Sequence, residues 1–327
     1  MKKTRTNISI ILLSAASLMV LLILAMRFGS VTLTYGEIVD TLFGGGSDLA
    51  RNIIMNVRLP RVLVAVMVGA NLAVSGTLLQ AVMQNPLADS GLTGVNAGAS
   101  LVAIFIMMLF PGYTYLVPLA AFGGGIIACA MVYTLAWKNG IKPMRIILAG
   151  VAVNAILGSG TSLLSVLYSD RIQGVIAWMN GSLVGKSWGD IRVLATYSFF
   201  GLAASMFCIR YANALQLGDK MAANVGVNTN VYRVLLSLVA VFLAGISVAI
   251  TGPIGFIGLA VPHISRLIVG SDHKYLLPLS VVVGSMLVLL GDTFARTIAS
   301  PIELPVGLIM AIIGAPFFLY LLRKGAR

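Results

Sequence analysis

The run from Gly181 to Ser187, GSLVGKS, is the part of this 327-residue chain that looks most like a catalytic motif. It is close to the glycine-rich loop that binds nucleotide phosphates, in which four residues separate the two glycines. Here only three residues separate Gly181 from Gly185, and no strand-like apolar run precedes them. We therefore predict a flexible loop at this position and no nucleotide site.

Asp292 is an acidic residue within a long apolar run, where a carboxylate is costly and often functional. A protease acting inside a membrane would need a second carboxylate on a facing helix, and no other apolar run supplies one. Asp292 stands four residues before Arg296, a spacing that predicts an ion pair on one helix face. The pair is therefore interpreted as structural.

Histidine and cysteine do not form a metal-binding or redox pattern. His263 and His273 are ten residues apart, with no carboxylate or cysteine suitably placed to complete a metal site. Cys129 and Cys208 lie inside apolar runs, where we expect them to pack against their neighbours. The sequence thus predicts no catalytic residue, no metal and no cofactor bound by this chain.

Composition places the chain in a membrane. Hydrophobic residues make up 59% of it and charged residues only 10%, with a mean hydropathy of +1.00. Soluble domains carry about 25% charged residues. A soluble enzyme, a nucleic-acid-binding protein and a disordered scaffold are excluded, and we assign the net charge of +12 to the loops between spans.

A membrane-spanning helix needs about 20 apolar residues. Ten such runs are present, at about 8–27, 61–83, 93–110, 114–136, 144–167, 191–209, 231–250, 254–269, 275–298 and 305–322. The first run is too long for a signal peptide, and no small-residue cleavage site follows it. We predict an all-α polytopic protein with ten transmembrane helices and one domain, residues 1–327.

Ten spans put both ends of the chain on one side of the membrane. If that side is the cytoplasm, it receives 14 of the 22 basic residues, in agreement with the positive-inside rule. Seven of the eight lysines are then inside. The outer cations are nearly all arginine, which suits planar recognition of carboxylates.

Two spacings mark helix starts on the predicted outer side. Thr34 with Glu37, and Ser187 with Asp190, have the spacing of a capping box. We predict a short amphipathic helix on the membrane surface after Thr34, and the start of the sixth span after Ser187.

The source of energy is not visible within the spans. An ion-coupled transporter usually has ionisable groups there, and no stripe of acidic residues crosses these runs. Asn71, Gln80, Asn154 and Thr161 lie in spans and either join helices or line a solute path. The inner segment 210–233 is too amphipathic for a plain linker and is either a structured loop or a compact hairpin that docks a partner.

The motifs in this segment and elsewhere resemble those of FecCD-type permeases, the membrane subunits of ABC importers for iron-siderophores, haem and cobalamin. The matching residues cover residues 8–325 in order: Arg58-Leu59-Pro60-Arg61; Gly76 and Gln80; Asn85-Pro86-Leu87-Ala88; Leu148-Ala149-Gly150-Val151; Leu217-Gly218-Asp219, Ala222 and Gly226; Gly255-Phe256-Ile257-Gly258-Leu259 with Pro262, His263 and Arg266; Asp272-His273 with Leu277-Pro278; Asp292, Ala295 and Arg296; Glu303-Leu304-Pro305-Val306-Gly307; and Gly314-Ala315-Pro316.

The resemblance implies a permease fold like that of the cobalamin importer, in the bacterial cell membrane with both termini cytoplasmic. It implies a second permease subunit, identical or paralogous, and two cytoplasmic ATPase subunits that carry ATP and Mg. An extracytoplasmic binding protein would deliver a metal chelate, most often an iron-siderophore or haem. The permease itself would have no catalytic site, would be surrounded by lipid and would bind no nucleic acid.

The resemblance also assigns residues to three sites. Arg58, Arg61 and Arg296 would receive acidic residues of the binding protein. The coupling segment would contact the ATPase through Leu217, Gly218, Asp219, Ala222 and Gly226, with Leu217 and Ala222 as apolar contacts and Asp219 as a possible helix cap. An inner gate would be formed by Asn85, Leu87, Pro143 and Met144.

The nature of the cargo is less well defined. Lys142-Pro143-Met144-Arg145 lacks the small hydroxyl residues of the cobalamin permease, and Lys274 stands where an arginine is frequent. The inner turn weakly disfavours cobalamin, and an iron complex is favoured because such ligands are frequent within the family that the sequence resembles. A secondary transporter and a non-transport membrane protein, such as an embedded enzyme or a receptor subunit, are the alternative classes.

Overall fold

The computed structural model describes residues 2–29 and 31–325, which are almost entirely helical. The only β pairing among these residues is an isolated bridge between Trp137 and Ile141. The all-α fold class predicted from the apolar runs is confirmed. Residues 1, 30, 326 and 327 of the predicted domain lie outside the described residues, and the single domain stays a prediction.

The helices within the described ranges are numbered in chain order. They are α1 (Lys2–Arg27), α2 (Tyr35–Leu42), α3 (Asp48–Asn52), α4 (Leu59–Met83), α5 (Val95–Leu109), α6 (Val117–Ala136), α7 (Pro143–Leu167), α8 (Gln173–Met179), α9 (Trp188–Phe207), α10 (Ile209–Gln216), α11 (Asp219–Asn224), α12 (Thr229–Thr251), α13 (Ile257–Val269), α14 (His273–Ala295) and α15 (Val306–Gly325). A π-helical turn, Ile53–Arg58, leads directly into α4.

Each of the ten predicted runs falls on one apolar helix. Six described helical stretches are long and apolar enough to cross a membrane, and α9 and α10, bent by 54°, would add a seventh as one span. The three remaining apolar helices, α5, α13 and the apolar part of α15, are shorter. The chain is therefore multi-pass, whereas the count of ten crossings stays a prediction.

Helix α4 lies at the centre of the molecule, with most of its side chains buried. This helix is apolar all round, and α9, α12, α13 and α14 pack against it and bury it. The backbones touch at two glycine pairs, Gly69 with Gly284 on α14 and Gly76 with Gly258 on α13. A Cβ on either α4 glycine would overlap the partner backbone, so these contacts require glycine.

Both predicted capping boxes are present. Glu37 N donates to Thr34 Oγ1 over 3.3 Å, and Thr34 N donates to Glu37 Oε2 over 2.8 Å. Ser187 N likewise donates to Asp190 Oδ2 over 2.8 Å. The short helix predicted after Thr34 is therefore confirmed as α2, while its place on a membrane surface stays a prediction.

Helix α7 differs from α4 because little of it is covered. Of its most apolar 18 residues only 17% are buried, compared with 83% for the stretch that contains α4. Leu148, Val151, Leu163 and Val166 are all exposed along α7. Helix α15 similarly exposes Ile312, so both helices present apolar faces that lipid or another chain must cover in a membrane.

Candidate docking, gate and coupling sites

Arg61 lies near the start of α4 and binds a carboxylate group of α14 through two of its nitrogen atoms. Its Nε is 3.0 Å from both oxygens of Asp292, and its Nη2 donates to Oδ1 over 2.9 Å. Its Nη1 donates to Glu303 Oε2 over 2.6 Å. This planar, charge-assisted geometry is the strongest way to hold an arginine. The N-terminal end of α4, the C-terminal end of α14 and the segment before α15 are thereby tied together.

The other two arginines that were predicted to dock the binding protein lie beside this ion pair. Arg296 Nε is 3.6 Å from Asp292 Oδ2, and its Nη2 donates to the carbonyl of Ala25 over 2.8 Å. Arg58 Nη1 donates to the carbonyls of Met26 (2.5 Å) and Arg27 (3.0 Å), and its Nη2 donates to that of Val31. The structure thus brings Arg58, Arg61 and Arg296 together around the end of α1.

The burial of these three arginines limits how they could bind a partner protein. Arg58, Arg61 and Arg296 are 4%, 6% and 3% exposed, and each already has partners in its own chain. In this arrangement they tie α1, α4 and α14 together, and a partner's carboxylate would have to displace existing bonds. Arg27 and Arg51 are exposed cations on the same outer segment, and Arg27 lies 4.6 Å above the Tyr35 ring.

Helices α10 and α11 fold into a compact knob, with glycines at both breaks. Gly218 (φ +90°) and Gly226 (φ +78°) adopt left-handed backbone that favours glycine. Leu217 is 60% exposed, as expected for a contact residue, but Ala222 is fully buried. Ala222 packs inward with Ala214 and Val227, because it lies on the inner face of this short helix. The exposed apolar residues beside Leu217, which the sequence did not single out, are Met221 and Val225.

Asp219 has a different role from the predicted helix cap. The cap position of α11 is Gly218, which has no side chain to offer. Asp219 Oδ1 instead accepts hydrogen bonds from Arg233 Nη2 (2.7 Å) and Gln84 Nε2 (3.0 Å). Burial alone would raise the pKa of Asp219, but these bonds and the nearby Lys142 hold it below its ordinary value.

The predicted gate residues belong to two neighbouring turns. Leu87 N donates to Asn85 Oδ1 over 2.9 Å, which closes a tight turn around Pro86. A cavity of about 460 Å³ separates this turn from the start of α7. It is lined by Met83, Gln84, Asn85, Lys142, Pro143, Met144, Ile147 and Asp219. Three gate residues therefore share a cavity with the coupling residue Asp219, whereas Leu87 lies outside the lining.

The polar residues inside spans are hydrogen-bonded. The bonds are Asn71 Nδ2 to Ser198 Oγ (2.7 Å), Gln80 Nε2 to the Gly258 carbonyl (3.2 Å), Asn154 Nδ2 to the Gly91 carbonyl (2.8 Å) and Thr161 Oγ1 to the Leu157 carbonyl (3.1 Å). Arg266 Nη2 also donates to Gln80 Oε1. The bonds of Asn71, Gln80 and Asn154 link separate segments and favour the structural interpretation, whereas the Thr161 bond stays within α7 and decides neither.

The residues of the motifs that were rejected as catalytic or metal-binding make structural contacts. Lys186, the basic residue of the GSLVGKS run, donates from Nζ to the carbonyl of Ile250 over 2.7 Å. Cys129 and Cys208 are buried free thiols. His273 is buried, and its Nδ1 lies 2.7 Å from Asn213 Oδ1.

Comparisons with known proteins agree over nearly the whole chain. The model of the FecCD transport family matches residues 17–324. The chain is 40% identical over 302 residues to the Fe(3+)-citrate import system permease protein YfmD of Bacillus subtilis, covering 92% of this chain and 90% of that protein. It is 36% identical to the iron(3+)-hydroxamate permease protein FhuG of Bacillus subtilis, covering 98% and 99%.

A further relative is the hemin transport system permease protein HmuU of Yersinia pestis, 38% identical over 94% of both chains. Among solved structures, a metal-chelate type ABC transporter in an inward-facing conformation superimposes with a TM-score of 0.87. It is 28% identical, and the match covers 97% of this chain and 99% of that one.

Proposed function

The chain belongs to the FecCD transport family and is a permease subunit of the metal-chelate ABC importer type, and we propose that its cargo is an iron(III) chelate. The observation that carries the proposal is the full-length match to permeases for iron(III)-citrate, iron(III)-hydroxamate and hemin. The chain is a transporter subunit and not an enzyme in its own right. ATP and Mg²⁺ would bind to its partners.

We propose that the covering partner of α7 and α15 is a second permease subunit, identical or paralogous. The exposed apolar side chains of these two helices support this assignment. Each of two ATPase subunits would bind the knob formed by α10 and α11 of one permease subunit, through exposed Leu217, Met221 and Val225. Both termini would then be cytoplasmic in a bacterial cell membrane.

The binding protein would dock on the opposite face, around the cluster of Arg58, Arg61 and Arg296. Since these side chains are buried, we propose that they shape the docking surface and that Arg27 and Arg51 supply its accessible charge. The cargo would then pass to the gate turns at Asn85, Leu87, Pro143 and Met144.

The test is uptake by the complete importer in proteoliposomes, with partners encoded beside this chain. We expect ATP-dependent uptake of radioactive iron(III)-citrate, iron(III)-hydroxamate or hemin, and little uptake of cobalamin. Ligand screening on the isolated binding protein identifies which chelate is carried. Uptake driven by an ion gradient without ATP would instead support a secondary transporter, and no uptake of any chelate would contradict the proposal.

A further inference from the structure

Arg233 lies in the first turns of α12 and is completely buried. A buried guanidinium is tolerated only when its donors are satisfied, because removing the charge from water is costly. Its hydrogen bonds therefore report what this side chain holds in place. The sequence had assigned no role to Arg233 beyond its contribution to the inner positive charge.

Arg233 binds three separate segments at once. Its Nε donates to the Val82 carbonyl (3.1 Å) in the last turn of α4, and its Nη1 to the Ile141 carbonyl (2.7 Å) in the turn before α7. Its Nη2 donates to Asp219 Oδ1 (2.7 Å) at the start of α11. Of the two charged side chains, Arg233 is 1% exposed and Asp219 46%. The carboxylate therefore lies at the surface and the guanidinium lies behind it.

Both segments that Arg233 reaches besides α11 lead into the gate turns. Val82 is three residues before Asn85, and Ile141 is two residues before Pro143. Gln84 supplies a second link, because its Nε2 donates to the Leu215 carbonyl (3.0 Å) and to Asp219 Oδ1 (3.0 Å). Gln84 also has left-handed backbone (φ +48°), which is uncommon for a residue other than glycine.

We infer that Arg233 is a positioning residue that ties the ATPase-contacting segment to both gate turns through Asp219. This inference rests on the proposed function, because it requires that α10 and α11 contact an ATPase. When that contact moves α11, the charge-assisted bond carries the displacement to the Val82 and Ile141 carbonyls together. The two turns facing the 460 Å³ cavity then move in concert with ATP binding.

The decisive variant is Asp219→Ala, which removes the shared acceptor but leaves Arg233 bonded to two carbonyls. In the reconstituted importer we expect chelate uptake per ATP hydrolysed to fall about tenfold, the size expected for the loss of one charge-assisted hydrogen bond. Asp170→Ala is the matched control, because it breaks an exposed pair with Arg171 (3.7 Å) far from the knob. The chelate uptake per ATP hydrolysed of this control variant should equal that of the wild type.

A purely structural role gives a different result. It would lower the amount of assembled complex in Asp219→Ala and leave uptake per ATP unchanged, which would overturn the inference. Arg233→Lys keeps the charge without the three-way geometry and should lower the same ratio. Since both variants break one link, the double variant should be no worse than the poorer single variant, whereas additive losses would contradict a shared path.

Failure of the inference can be distinguished from failure of the proposed function. If Asp219→Ala and Gln84→Met retain the normal ratio while Gly226→Trp loses stimulated hydrolysis, the knob contacts the ATPase but Arg233 does not transmit its movement. If the wild-type chain does not assemble with any ATPase, both the proposed function and the inference on Arg233 are wrong. If the Arg233→Lys variant does not assemble, the Asp219→Ala and Gln84→Met variants still test the inference.

Discussion

Arg61 and Asp292 are 231 residues apart in the chain, yet the guanidinium of one is held by both carboxylate oxygens of the other. Both side chains are almost inaccessible, at 7% and 1% exposed. The pair joins the N-terminal end of the central helix α4 to α14. At this depth neither charge has water as an alternative partner, so each depends on the other.

Arg61→Met should therefore lower the free energy of unfolding by about 3–5 kcal/mol, because it leaves Asp292 buried with a poorer partner. The measurement is thermal or denaturant unfolding of the purified subunit. The exposed pair Asp170–Arg171 provides the control, since its loss through Asp170→Asn should cost only about 0–1 kcal/mol. Equal losses in the two variants would contradict a structural role for Arg61.

Because the three arginines of the predicted docking site are buried, docking of the binding protein has to be tested on other residues. Exchanging Arg58, Arg61 and Arg296 for glutamate would disrupt the outer surface, so reduced binding would not identify a contact. The double variant Arg27→Glu, Arg51→Glu changes exposed charge instead, and should slow association with the binding protein and reduce its salt dependence. Surface plasmon resonance measures both. Arg210→Glu, an exposed reversal on α10, should have no effect, and unchanged association in the double variant would reject these contacts.

Gly226 tests the ATPase contact. Space around it is open, so the bulk of Gly226→Trp meets no neighbouring atom and blocks a docked partner, although any side chain at φ +78° strains the local backbone. We expect loss of chelate-stimulated ATP hydrolysis and of uptake. Gly226→Ala is the matched control, because it brings backbone strain at φ +78° as tryptophan does but adds little volume. A tryptophan variant with normal stimulation would place the contact elsewhere.

Leu87 tests the gate. Its side chain is 41% exposed, and the native thiols of Cys129 and Cys208 are buried. Leu87→Cys should crosslink across two permease subunits with a yield that changes on ATP binding. Leu119→Cys, 72% exposed on α6, should give no nucleotide-dependent product. A Leu87 yield that ignores ATP would count against a gate at this turn.

Local sequence patterns predicted the helices well, for a physical reason. A membrane helix satisfies its backbone hydrogen bonds internally, so the length of an apolar run nearly defines it. The capping boxes at Thr34 and Ser187 succeeded because all their atoms lie within four residues. The family resemblance was confirmed because its motifs recur in order along the chain.

The partners of the charged residues were not predicted, because they depend on which helices become neighbours. Spacing paired Asp292 with Arg296, and the two are indeed 3.6 Å apart, but the closer partner is Arg61. Asp219 was interpreted as a cap, whereas it binds Arg233 and Gln84. Ala222 was assigned to the contact surface although it faces inward, because six residues are too few to show which face is covered.

The glycine pairs of α4 also bear on where motion can occur. Helices whose backbones touch, as α4 does with α13 and α14, have no compressible side chains between them and cannot slide without a steric collision. The stretches of these three helices that meet at the glycine pairs should therefore move as one body. Any rearrangement must then carry these paired stretches as one body and take place at the helix ends, such as the turn after Val82, or where side chains rather than backbones meet.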